Sequence, residues 1–402
     1  MLSDVSQDAQ IGEPEYTGPA GGHRPLLEMG MIPREILQGA QNCVIGCGQI
    51  HEGQQVLLLN GPSTDAICSD AMQMVAELQG ADVAVMSLQR LASGWYDAAP
   101  RIGTAAFEAA DLVINNGTTL TRGHKPIHKA MFEKGVVMIR SYGGDANILS
   151  SAWARFPFEV YNEMELRLMK VLKEGKQYRV TDEHGTDLVG TLDGPAEHRR
   201  DTVLVSRSPY RHFPPGVHSP IRSLSSNGVI YMRNTYSDAA RLFGMPETVF
   251  PEPVRLTVED NFVTRIEGGA QAEAMKRYFD FLVHSGTVGQ DAYGVTSWHT
   301  GMHHMSFSPY PRELDPTHWN GYCHHHPGYF HFHIGLDPSE DTGVEYMTHA
   351  QATVFNPTIW IDGEKIWENG RLTVFDDPDF IALTRQYGDP SRLLRYMPLP
   401  VD

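Results

Sequence analysis

Short apolar runs alternate with amphipathic stretches through the first part of the chain. From Ile32 the spacing predicts a helix, with Ile36, Leu37, Ala40 and Val44 on one face. Gln55-Val56-Leu57-Leu58-Leu59-Asn60 is a continuous apolar run, the pattern of a strand buried on both faces of a parallel sheet. The following Gly61-Pro62-Ser63-Thr64-Asp65 supplies helix-capping residues, and a helix is expected over 67–80, stopped by Gly80. Further strands are expected at 82–86, 111–115 and 136–140, with helices at 103–110 and 124–134 between them. Regular alternation of strand and helix predicts an α/β layer with a parallel sheet.

Beyond about residue 175 the period changes to two. Gln177–Asp182 and Asp187–Leu192 alternate around Glu183-His184-Gly185, and strands are also expected at 203–206, 229–232, 254–258 and 262–267. Asp260-Asn261 marks a tight hairpin, as does the turn within Thr358–Ile366, and 270–284 reads as a helix. The predicted fold is therefore an α/β N-terminal domain with a parallel sheet, followed by a mostly antiparallel α+β domain. The expected divisions are an extended Gly/Pro-rich arm over 1–30, the α/β domain over 31–170 and a metal-binding catalytic domain over 171–402.

Composition narrows the functional classes. The formal net charge is −17, which argues against nucleic acid and anionic membrane surfaces as partners. A hydrophobic share of 41% with 20% charged residues excludes a disordered chain. No apolar run is long enough to span a bilayer, and the acidic N-terminus has no signal-peptide pattern. Cys43, Cys47, Cys68 and Cys323 have no metal or redox spacing, so free thiols in a reducing cytoplasm are expected.

Histidine departs from this ordinary composition. Eleven of the 19 lie between His284 and His349, a stretch of 66 residues. The densest part is Cys323-His324-His325-His326-Pro327-Gly328-Tyr329-Phe330-His331-Phe332-His333. On a strand, His331 and His333 project from the same face, so both imidazoles can reach one metal ion. His349-Ala350-Gln351 offers the same geometry, with an amide in place of a carboxylate. Metal ligands are therefore expected among His331, His333, His349 and Gln351, with His299, His303, His304, His324 and His326 as further ligands or acid/base groups.

Several segments resemble one known superfamily, in order, over about residues 32–375. Gly185-Thr186-Asp187-Leu188 looks like the "GTDL" strand-turn of the aminopeptidase T-like metallopeptidases and their relatives, the 2,5-dihydroxypyridine 5,6-dioxygenases. Phe213–Val217 with Ser226-Asn227-Gly228, and the hairpin ending Glu267-Gly268-Gly269, are similar to the segments that follow there. Gly335-Leu336-Asp337-Pro338 resembles a "GLNP" segment, and His349-x-Gln351 before Ile361-Asp362-Gly363 resembles a late His-x-Asp and closing hairpin. The peptidases would place a glutamate at the position of His331, whereas a histidine there is nearer the dioxygenase branch, which holds one ferrous ion with two histidines and an aspartate. Gln351 stands in place of that aspartate.

The resemblance and the scarcity of carboxylates imply a non-haem Fe(II) dioxygenase that opens a hydroxylated aromatic or N-heteroaromatic ring, with a small aromatic substrate and O₂ as partners. His324, His326 or His304 would move protons near the metal. Arg122 and His124, at the carboxyl edge of the parallel sheet, and Arg222 are candidates for holding an acidic substrate group. Aromatic residues from Trp298 to Phe330 could wall a flat pocket. The alternative is a metallohydrolase, an aminopeptidase or amidohydrolase, using Zn or Mn. The resemblance also implies a homo-oligomer.

Overall fold

The structure is a computed structural model, and it describes residues 31–88, 101–117, 120, 124–192, 208–218, 220–235, 249–286, 288–335 and 350–401. The expected arm at 1–30, the expected strand at 203–206, Arg122 and His349 lie outside these residues.

Strands β1 (Gln55–Asn60), β2 (Asp82–Ser87), β3 (Leu112–Asn116) and β4 (Val137–Ser141) agree with the apolar runs to within a residue. The chain then enters β5 (Gln177–Thr181) and β6 (Asp187–Leu192), and returns to the first sheet through β7 (Tyr210–Phe213). The first sheet is parallel throughout, in the order β2-β1-β3-β4-β7. Its last strand comes from the later half of the chain and has too short an apolar pattern to announce itself in the sequence. The first helix runs Arg34–Gln41 and continues as a wider π-helical turn over Asn42–Cys47.

The second sheet contains β8 (Ile221–Met232), β9 (Val254–Glu259), β10 (Phe262–Glu267), β11 (Val295–Thr300), β12 (Tyr329–Ile334), β13 (Ala350–Phe355), β14 (Thr358–Ile361), β15 (Glu364–Glu368) and β16 (Arg371–Leu372), together with β5 and β6. Its order is β13-β12-β11-β8-β6-β5-β14-β15-β16, with β9 and β10 attached to β8, and its described pairs are antiparallel. Positive φ at Asp260 (45°) and Asn261 (71°) gives β9–β10 the tight hairpin turn that these residue types favour.

The helices Phe158–Glu174 and Ala270–His284 bury Val160, Met164, Leu168, Met275 and Phe279. One apolar cluster runs from Ile36 and Leu58 through Leu168 and Ile230 to Phe332 and Trp367, joining both sheets. No helix of the described residues is long and apolar enough to cross a membrane.

Candidate metal centre

β12 reads Tyr-Phe-His-Phe-His-Ile, and strand alternation decides where each side chain goes. Phe330, Phe332 and Ile334 join the apolar core, as do Trp298 of β11 and Ala350, Ala352 and Val354 of β13. The alternate residues of all three strands therefore share the opposite face. Registry sets His331 opposite His299 on one side and Thr353 on the other, while Asn234 bridges to Thr353. The neighbouring row is Gln351, His333, Ser297 and Arg222. Two polar rows thus cross the sheet side by side, backed by an apolar face. Trp298 and Phe330, which the sequence offered as pocket walls, stack on each other at 5.4 Å within that apolar backing.

His299, His331 and His333 each offer a ring nitrogen, and these atoms all lie within 4.8 Å of one another. All three residues are buried, at 9%, 0% and 4% exposure. His331 Nε2 and His333 Nε2 stand 3.1 Å apart. Two nitrogens bound to one ion at about 2.1 Å, roughly at right angles, would be separated by about 3.0 Å. The pair therefore has the bite that a metal ion needs.

Neighbouring groups set the tautomer. His299 Nδ1 lies 3.2 Å from the His218 carbonyl oxygen, which can only accept, so Nδ1 carries the proton and Nε2 presents its lone pair. His333 Nδ1 meets Ser297 Oγ at 2.9 Å, an arrangement that can hold its Nε2 ready in the same way. Three neutral imidazoles suit a divalent transition metal and are poor ligands for hard cations such as magnesium. Among the described residues, no Asp or Glu joins the cluster.

The segment 301–328 roofs the site. A Cβ at Gly301 would lie 2.2 Å from the backbone carbon of His325, so only glycine allows this close approach. The helix Pro316–Cys323 is capped by Asp315, which accepts from His318 N, and it ends at His324. The His324 ring lies 4.7 Å from that of His331 and 5.1 Å from that of His299. Burial, with smaller contributions from His325 and Arg140, holds its pKa well below the usual histidine range. His324 therefore reaches the site as a neutral ring. Tyr329 OH donates to Asn320 Oδ1 at 3.0 Å, and Asn234 Nδ2 donates to the same oxygen at 2.5 Å, tying the roof to the sheet.

Other residues singled out in the sequence have different surroundings. His304 Nε2 hydrogen bonds the Leu393 carbonyl at 2.6 Å, and its ring packs on Phe156, His303 and Phe375. His326 Nδ1 accepts from Gly328 N at 2.9 Å, and its ring packs on Phe307 and Tyr396. Burial pushes their pKa values down to about 4 and about 3. Neither ring has a described contact with the triad.

Gln351 faces the His333 position, and its Oε1 is buried without a hydrogen-bond partner among the described residues. Arg222 continues the same row at an exposed position, beside Ser297. His124 is buried at the N-terminus of the helix Lys125–Lys134, on the carboxyl edge of the parallel sheet.

Three contributions were less visible in the sequence. His299 was one of several open alternatives, because Val295–Thr300 mixes polar and apolar residues and gives a weak strand signal. Ser297 and His218 act through other side chains and carry no motif.

The arrangement of a parallel sheet joined to a large antiparallel sheet recurs in solved structures. A 2,5-dihydroxypyridine dioxygenase from Pseudomonas putida KT2440 is similar over 87% of this chain and 99% of its own, at 17% identity and a TM-score of 0.58. AmpT from Thermus thermophilus is similar over 85% and 99%, at 13% identity and a TM-score of 0.50. Among curated proteins, none matches the chain. The family model for 2,5-dihydroxypyridine 5,6-dioxygenase (NicX) matches residues 37–374, and the chain belongs to that family of ring-cleaving dioxygenases.

Proposed function

We propose that the protein is an Fe(II)-dependent, extradiol-type dioxygenase that opens the ring of a hydroxylated aromatic or pyridine-like compound. The observation that carries this reading is the convergence of buried His299, His331 and His333, with no carboxylate among the described residues joining them, in a chain of the NicX family. A ferrous ion held by these imidazoles would anchor the substrate's hydroxyl oxygen and make dioxygen reactive beside it. Overall, one ring C–C bond breaks and both atoms of O₂ enter the product.

The protein's own groups prepare that step. His218 and Ser297 aim the imidazoles of His299 and His333. The apolar backing of Trp298, Phe330 and Phe332 keeps water from the far side of the sheet. His324, a neutral ring beside His331, accepts the hydroxyl proton as the substrate oxygen binds and returns it to the opened product. Gln351, next to His333, orients the substrate or completes the ligand set. We take 171–402 as the catalytic domain, working as a homo-oligomer in the cytoplasm.

The test is anaerobic loading with Fe(II) and a hydroxypyridine, followed by admission of ¹⁸O₂. Ring opening with both labelled atoms in the product is expected only after oxygen enters. Turnover without O₂, sustained by zinc or manganese, would instead identify a metallohydrolase.

A further inference from the structure

The roof over the triad is tied to both sheets. Asn320 anchors it to the second sheet, through Tyr329 and Asn234. On the first sheet the anchor is Asp145, in the loop that follows β4 and at the N-cap of the short helix Ala146–Leu149. Asp145 Oδ1 accepts from Asn147 N at 2.8 Å, which holds the carboxylate against its own backbone. The other oxygen, Oδ2, accepts from Tyr310 OH at 2.6 Å and from Tyr322 OH at 3.2 Å. Both tyrosines belong to the roof.

The loop that carries the carboxylate is itself fixed. Asp65 Oδ2 accepts from Ala146 N at 2.7 Å, and Asp65 N donates to the Gly144 carbonyl at 2.8 Å. On the roof side, Tyr310 and Tyr322 pack with Ile148 and Trp153 in an apolar cluster of their own. Hydrogen bonds from a hydroxyl to a charged carboxylate are the strong kind, and apolar surroundings strengthen them further. Tyr322 lies on the helix Pro316–Cys323, which ends at His324. Its carbonyl accepts from His325 N at 3.2 Å, while His324 N donates to the Asn320 carbonyl at 2.9 Å. A group that fixes Tyr322 therefore fixes the turn that presents His324 to His331 and His299.

The geometry points to Asp145 as a positioning residue. From the first sheet its carboxylate fixes the roof through Tyr310 and Tyr322, and so sets the His324 ring beside the triad. That this ring moves a proton there rests on the oxygenase reading; the tether itself stands on the hydrogen bonds alone.

Two measurements on the iron-loaded full chain test it. Asp145→Asn keeps a good N-cap residue and loses the charge, whereas Tyr322→Phe removes one hydroxyl and leaves the ring. In either variant the amides of His324 and His325 should exchange hydrogen about tenfold faster, with those of β3 and the iron content unchanged. With 2,5-dihydroxypyridine and O₂, kcat should fall about tenfold in either variant while KM stays within about twofold. Combining the two substitutions should add little, because both cut the same tether. In a His324→Ala background neither should lower kcat further, whereas a residue that merely stabilises the fold would add its loss there as well.

Unchanged exchange at His324 and His325 in both variants would overturn the inference whatever the chemistry. Faster exchange with kcat unchanged, or a kcat loss that persists in the His324→Ala background, would overturn the positioning role. Faster exchange in a protein that consumes no oxygen would uphold the tether while sinking the oxygenase reading.

Discussion

Residues 299–333 contain two groups of buried histidines that differ in what their nitrogens meet. His299, His331 and His333 turn ring nitrogens toward one another on a strand face. His304 and His326 instead hydrogen bond to the backbone and pack among aromatic rings. Both groups are buried and both come from the same histidine-rich stretch. Abundance and burial therefore do not distinguish a metal site from a polar core; convergence of lone pairs does.

The largest expected effect falls on the converging group. His331→Ala or His299→Ala should cost roughly 10³-fold or more in kcat, about 4 kcal/mol, together with the bound iron. Activity retained within tenfold would erase the distinction between the two groups.

A pH series should sharpen the other side. In the unfolded chain these imidazoles charge near pH 6.5, whereas in the fold His304 stays neutral to about 4 and His326 to about 3. Between those limits the unfolded state binds more protons, so stability falls as pH drops below about 6.5. For His304 alone the loss by pH 4 is on the order of 3 kcal/mol. Urea midpoints at pH 7.5, 6 and 4.5 should decline accordingly, and a constant midpoint would show that burial does not hold these rings neutral.

Ser297→Ala removes the partner of His333 Nδ1 and should weaken metal affinity by roughly 10- to 100-fold with little loss of fold. His304→Phe strands the Leu393 carbonyl and should cost about 1–2 kcal/mol in urea unfolding while iron content is unchanged. The smallest effect belongs to the exposed His318, whose ring pairs with Asp315; His318→Ala should change stability by under about 1 kcal/mol.

The sequence made the fold legible wherever burial imposed a clean period. β1, β9–β10 and the helix Ala270–His284 stand where their patterns place them, because a strand buried on both faces or an amphipathic helix leaves few alternatives. β7 and β11 escaped for opposite reasons. β7 has four residues and depends on a long-range pairing with β4, whereas β11 is buried on both faces yet carries Ser297 and His299 for the site. The spacing of His331 and His333 put them on a common face. His299 required knowledge of which strand lies beside β12, which only tertiary pairing supplies.

The most direct measurement is iron bound per chain after anaerobic loading and removal of free metal, for the wild type and for His299→Ala, His331→Ala and His333→Ala. One ion per wild-type chain is expected, with less than about a tenth as much in each variant at unchanged circular dichroism. Full iron occupancy in the folded His299→Ala and His331→Ala variants would contradict the assignment of these imidazoles as the metal centre.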